Sequence, residues 1–246
     1  MLQYNILNPQ TPIPDVKSNS TVIGQKVEEI DLNEDSWSKE YFVVFFHTGP
    51  HDPVSTYTMK CIDKHNDDQS GDLPCKVVGV SVDSPHTVSN WLNSEEDLKE
   101  FDVPLMSDRN ANICRQFGVY QESSGYPANS VFIIDGNDRV RYHCVLDSRV
   151  GFNIEEITRL VKAFKETDGG KTLAMEGWKS KEDNVGNDID SVKHFYAKMF
   201  GDDSTKFWEQ PLFSKGNFTR RQAVMTLLGI LWICLAFYLL YTIMSH

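Results

Sequence analysis

The chain has 246 residues, 40% of them hydrophobic, which supplies a sizeable core and excludes an intrinsically disordered protein. With 24 basic against 35 acidic residues the net charge is −11, and no Lys/Arg stripe with interleaved aromatics occurs, so nucleic acid is excluded as a partner. Five cysteines, Cys61, Cys75, Cys114, Cys144 and Cys234, lie without CxxC spacing; this signals neither a disulfide framework nor a zinc site and fits a reducing compartment or the mitochondrial intermembrane space.

Residues 1–14 are polar and proline-containing and read as an extended surface arm, with no secretory or transit signal. The stretch VIGQKVEEIDL (22–32) alternates well enough for an edge strand or hairpin. A continuous run, YFVVFF (41–46), predicts a strand buried on both faces, followed by the loop HTGPHDPVS and a helix over 56–65. KVVGVSV (76–82) predicts a second buried strand, with a helix around 88–93. DVPLMSD contributes a short strand with Asp108 as N-cap of a helix through Gln116. SVFIID and RVRYHCV, separated by a Gly/Asn/Asp turn, predict a hairpin. Asn153 and Glu156 stand in capping-box positions before an amphipathic helix with Ile154, Ile157, Leu160, Val161 and Phe164 on one face. This order predicts an α/β fold, a mixed sheet flanked by helices.

Residues 169–200 read as a Gly- and charge-rich arm after a core domain at 15–168, and 201–222 as a linker carrying Phe207, Trp208, Leu212, Phe213 and Phe218. Residues 223–244 (AVMTLLGILWICLAFYLLYTIM) carry no charge and at ~1.5 Å per residue would reach ~33 Å, against a hydrocarbon core of ~30 Å. They predict one C-terminal transmembrane helix and contact with membrane lipid. Arg220 and Arg221 precede it, which places the domain on the cytosolic side or its topological counterpart. On that side the sequons at Asn19 and Asn217 stay unmodified.

The segments PIPDV, FVVFF, KVVGVSVDSPHTVSNWLN, DVPLMSDRNANICRQFGV, SVFIIDGNDRVRYHCV, GFNIEEITRLVKAF and EGWK occur with the spacings of a peroxiredoxin. From about Thr11 to Phe200 the chain resembles the typical 2-Cys branch of that family, which implies a thioredoxin-like fold. The resemblance carries the family's Pro-x-x-x-Thr-x-x-Cys motif onto Thr48, Asp52 and Ser55, its arginine onto Asn129, and its resolving cysteine onto Ala174. A Gly-Gly-Leu-Gly insertion found in some members is absent, since NSEEDLKEF leads straight into DVPLMSD. It also implies edge-to-edge pairing through the strand between Arg139 and Val145, giving homo- or hetero-dimers.

The family's reaction needs a thiolate that passes through a sulfenic acid. With Ser55 and Ala174 at the two cysteine positions, the expectation is that the chain is not an enzyme. The expected role is an accessory subunit of a membrane complex, with the respiratory chain of the mitochondrial inner membrane first, or the ER or outer mitochondrial membrane. Two other readings stand beside it: a membrane-anchored thiol peroxidase or peroxide sensor using a non-standard cysteine, and an adaptor that recruits active peroxiredoxins. Cys61, six residues after Ser55, would lie ~9 Å further along a helix and on another face, and reads as a packed core residue, as do Cys75, Cys114 and Cys144. His47, His51, Asp52 and Ser55 have no Gly-x-Ser-x-Gly elbow or metalloprotease helix beside them and read as a solvated polar loop, with no cofactor and no metal.

Overall fold

A strand that is apolar on both faces is satisfied only inside a sheet covered on both sides. β3 (Phe42–Phe46) meets that condition: all its residues are buried. The computed structural model describes residues 6–201 and 204, apart from 25, 35, 36, 38, 51 and 68–73. In it β3 runs parallel to β4 (Lys76–Ser81) on one side and antiparallel to β8 (Asn129–Ile134) on the other. Beyond β8 lies β9 (Val140–Leu146); beyond β4 lie β5 (Leu105–Ser107), β1 (Lys17–Ile23) and β2 (Lys26–Asp31). The seven strands follow the order β2-β1-β5-β4-β3-β8-β9.

Alternation along the strands divides the interior into two cores. Val43, Phe45, Val131 and Ile133 face Met59 and Ile62 of α1 (Pro53–Asp67), Trp91 and Leu92 of α2 (Pro85–Ser94), and Ile157 and Val161 of a helix at 154–167. Phe42, Val44, Phe46, Phe132 and Ile134 face Ile113, Cys114 and Phe117 in and beside α3 (Asn112–Gln116), closed off by Val16, Leu32 and Trp37. Helices therefore cover both faces, as the strand and helix order predicts. Short pairs β6 (Tyr120–Gln121) and β7 (Tyr126–Pro127) lead into β8. The helix at 154–167, α4 (Ile154–Thr167), starts at its predicted cap: the Asn153 side chain accepts the Glu156 N–H at 3.2 Å. The predicted hairpin at 22–32 is β1 paired antiparallel with β2, and it begins earlier, at Lys17.

One local expectation is corrected. Asp108 is not the N-cap of α3; that place belongs to Ala111, at φ 54°. The Asp108 carboxylate instead accepts the Cys114 N–H from further back, at 2.8 Å. The arm expected before residue 15 is, over its described residues 6–14, fastened to the sheet. Gln10 N–H donates to the Val140 carbonyl, Val140 N–H donates to the Thr11 carbonyl, and Pro12 bridges Arg139, so this segment lies along the start of β9. Ile6 and Leu7 pack against the second core and Ile13 is buried in it, and that apolar contact is what a polar composition concealed.

The described residues cluster into two compact units, one within 6–169 and 174–184, the other within 170–173 and 185–204. In the first, the Trp178 indole is 2% exposed and donates to Asn184 Oδ1 at 2.7 Å. In the second, β10 (Thr172–Leu173) pairs antiparallel with β11 (Val185–Gly186), and α5 (Ile189–Phe200) starts at Asp188, whose carboxylate accepts the Ser191 N–H. The arm at 169–200 contains α5, whose signals are present in the sequence, an Asp cap and apolar residues at 192, 195, 196 and 199. Among the described residues no helix is long and apolar enough to cross a membrane. The predicted span at 223–244 lies outside the described residues, as does the linker except for Gly201 and Ser204.

Candidate active site at the β3–α1 junction

The loop leaving β3 turns at Gly49, where φ is +134° and an added Cβ would lie 2.8 Å from the Asp83 carboxylate. Only glycine takes that conformation so close to a neighbouring side chain. The turn delivers Thr48 and Asp52 to the N-terminus of α1. Asp52 caps the helix: its Oδ2 accepts the Ser55 N–H at 2.7 Å and its carbonyl accepts the Thr56 N–H at 2.8 Å. Ser55 is 3% exposed, and its hydroxyl lies 3.4 Å from that of Thr48. The structure thus brings three of the expected positions, Thr48, Asp52 and Ser55, into one cluster.

Asn129, at the start of β8, is 4% exposed; its Nδ2 donates to the Val150 carbonyl at 2.9 Å and its Oδ1 has no partner. That hydrogen bond helps to hold the turn before α4 beside α1, where an added Cβ on Gly151 would sit 3.7 Å from both Val54 Cγ1 and Thr58 Oγ1. Ala174 is half-buried at the start of the 174–184 segment.

His47 corrects the solvated-loop reading. It is 1% exposed, with its ring 6.0 Å from those of Phe45 and Trp91, and its Nδ1 has no partner. Burial pulls its pKa down to about 4, with a backbone hydrogen bond at Gly49 and the Asp52 charge opposing. His51 lies outside the described residues. Among the described residues no three His, Cys, Asp or Glu side chains group to hold a metal.

The described cysteines are all free thiols. Burial pushes the Cys75 thiol up to about 12, and burial together with the neighbouring Asp108 pushes Cys114 further still. Cys61, on α1, Cys75, before β4, and Cys144, on β9, are half-buried against the first core rather than inside it, and Cys114 alone is fully buried among the described cysteines. Cys234 lies outside the described residues.

The sequence profile of the AhpC/TSA family matches residues 9–143, more than half of the chain. Peroxiredoxin-2 of Macaca fascicularis is 31% identical over 190 residues, an alignment covering 76% of this chain and 94% of that protein. This chain belongs to the peroxiredoxin (AhpC/TSA) family. Peroxiredoxin-1 of Gallus gallus is 29% identical over 196 residues, with 76% and 94% covered. The fold agrees: a reduced 2-Cys peroxiredoxin of Plasmodium vivax matches with a TM-score of 0.70 at 19% identity over 80% of this chain and all of that one, and Enterococcus faecalis AhpC with 0.60 at 20% identity over 67% and 96%. The fold is thus the thioredoxin-like α/β fold of peroxiredoxins. The expectation that this peroxiredoxin is not an enzyme is corrected by this membership: its relatives are peroxidases, and it carries thiols of its own, Cys61 and Cys114 among them. That expectation sets those thiols aside as packed core residues.

Proposed function

We propose that this peroxiredoxin is a thiol peroxidase or peroxide sensor whose reactive sulfur is Cys61, held at a membrane by residues 223–244. The observation that carries the reading is the placing of a half-buried free thiol on α1, the helix whose first turn holds the family's site. Cys75 and Cys114 are poor candidates because burial keeps both thiols protonated far above neutral pH, and the thiolate is the nucleophile. In the step proposed, the Cys61 thiolate attacks one peroxide oxygen, the O–O bond breaks, and the other oxygen leaves as water or an alcohol after taking a proton. The sulfur ends as sulfenic acid, and a dithiol reductant of the thioredoxin type returns it to thiol with loss of water. Peroxide consumption by the full chain with such a reductant tests this. Turnover is expected to disappear in Cys61→Ser and to survive in Cys75→Ser; turnover unchanged in Cys61→Ser refutes the assignment.

A second reading, supported by the β9 edge, is pairing with another copy or another peroxiredoxin. Gln10–Ile13 backbone covers the edge at Arg139 and Val140, so among the described residues the free part runs from Arg141 to Val145, and Val145 is 40% exposed. Placement in the mitochondrial inner membrane, as part of a larger assembly, remains our proposal from the apolar tail and the thiol pattern. Native purification with identification of co-migrating proteins tests it, and recovery without membrane proteins overturns it.

A further inference from the structure

Half of α5 is apolar, yet none of its residues is buried. At 100° per residue, Ile189, Val192, Phe195, Tyr196, Met199 and Phe200 fall within an arc of about 140°, while Asp190, Lys193, His194 and Lys198 share the opposite side. The exposure is concentrated at the C-terminal end: Phe200 is 70% and Met199 56% exposed. The rings of Phe195, Tyr196 and Phe200 form a chain, with successive centroids 6.1 and 5.8 Å apart. Lysines border the apolar arc, Lys193 next to Phe200 and Lys198 beyond Phe195. A long cationic side chain there can lay its methylenes on an apolar medium while its ammonium stays in water. Large aromatic and thioether groups within a lysine border make the pattern of a helix lying flat in a bilayer surface.

The chain beyond the helix says what covers this face. Residues 201–222 separate α5 from the uncharged run at 223–244. Fully extended, they span no more than roughly 75 Å, so a run inserted in a bilayer holds α5 near that same bilayer. Tethering of this kind turns a weak surface affinity into an intramolecular one at high effective concentration. We propose that α5 is an interfacial helix, with Phe195, Met199 and Phe200 seated among lipid acyl chains and His194 and Lys198 turned to water. The proposal rests on the membrane reading of residues 223–244.

The test uses the full chain in phosphatidylcholine vesicles whose acyl chains are brominated near the headgroup, comparing Phe200→Trp and His194→Trp with the unsubstituted protein. Both positions are exposed, and an indole at 200 keeps an aromatic ring beside Tyr196. A helix seated ~5–10 Å into the headgroup–acyl boundary should cost the indole introduced at position 200 at least about half of its added fluorescence and spare the one introduced at position 194. Equal quenching at both positions, or none at 200, overturns the proposal; a face covered by protein gives the second result. Flotation separates the two readings. A chain that floats with vesicles yet shows no quenching at 200 sinks the α5 inference alone, and one that does not float sinks the anchor with it.

Discussion

The carboxylate of Asp52 accepts the backbone N–H of Ser55, 2.7 Å away, so the amide end of α1 is already occupied by an anion from the chain itself. Removing it by Asp52→Ala should destabilise the fold by ~1 kcal/mol, read from denaturant unfolding, with Asp52→Asn closer to the parent because it still caps. The same carboxylate would oppose a second negative charge at 55. A thiol introduced by Ser55→Cys should therefore titrate higher than in the Ser55→Cys/Asp52→Asn double variant, by about 1 pH unit. Equal values from thiolate absorbance in the two variants would show that the carboxylate does not act on that position.

His47 predicts a pH effect on stability. Its pKa falls from 6.5 to about 4 on folding because burial penalises the imidazolium. A depressed pKa means the unfolded chain binds more protons between those values. The stabilising contribution is complete above pH 6.5, declines as pH falls, and is gone below about 4, at ~1.4 kcal/mol per unit or ~3 kcal/mol in all. His47→Phe, which keeps a ring between Phe45 and Trp91, should remove that slope in unfolding curves measured from pH 7 to 4. A variant with the parent's slope contradicts the assignment.

Cys75 should be slow to alkylate in the native state. With its pKa raised to about 12 by burial, the thiolate fraction at pH 8 is on the order of 10⁻⁴. Its labelling rate, followed by mass spectrometry under native conditions, should rise about tenfold per pH unit through pH 10. A plateau near pH 9 would count against the burial argument.

Arg141 ties together three segments distant in sequence. It donates to the Tyr41 hydroxyl at 2.6 Å, and pairs with Asp135 at 3.3 Å and Asp168 at 2.5 Å, while the Tyr41 hydroxyl also donates to Asp168 at 2.8 Å. Asp135 and Arg141 are both well shielded, with side chains 8% and 16% exposed. Arg141→Ala removes the cation beside Asp135, whose Oδ1 still accepts the Asn137 and Arg139 N–H groups, and should cost ~2 kcal/mol; Tyr41→Phe removes one hydroxyl and should cost about 1 kcal/mol. Chemical denaturation of both variants checks the order.

The uncovered part of β9 predicts self-association that a single charge disturbs. Val145→Lys should shift sedimentation toward the monomer without lowering the melting temperature, because position 145 is already 40% exposed. A parent that sediments as a monomer at all concentrations removes the pairing proposal.

Local pattern carried much of the architecture. The runs at 41–46 and 76–82 could be nothing but strands covered on both faces, and Asn153 with Glu156 marked where α4 begins. The three positions at the β3–α1 junction were legible through the resemblance, whose motif falls on Thr48, Asp52 and Ser55. His47 was not: nothing in HTGPHD distinguishes a buried histidine from a wet one until Trp91 of α2 is packed over it.

By itself, then, the order of residues determined which segments form strands and helices and which chemical groups stand at the junction, because both follow from short-range periodicity and side-chain identity. Only the tertiary structure decided that Gln10 and Thr11 close the start of β9, that Asp52 is spent on capping Ser55, and that α5 keeps its aromatic end exposed. Those outcomes depend on which surfaces far apart in the chain meet and exclude water, and a one-dimensional pattern contains no term for that.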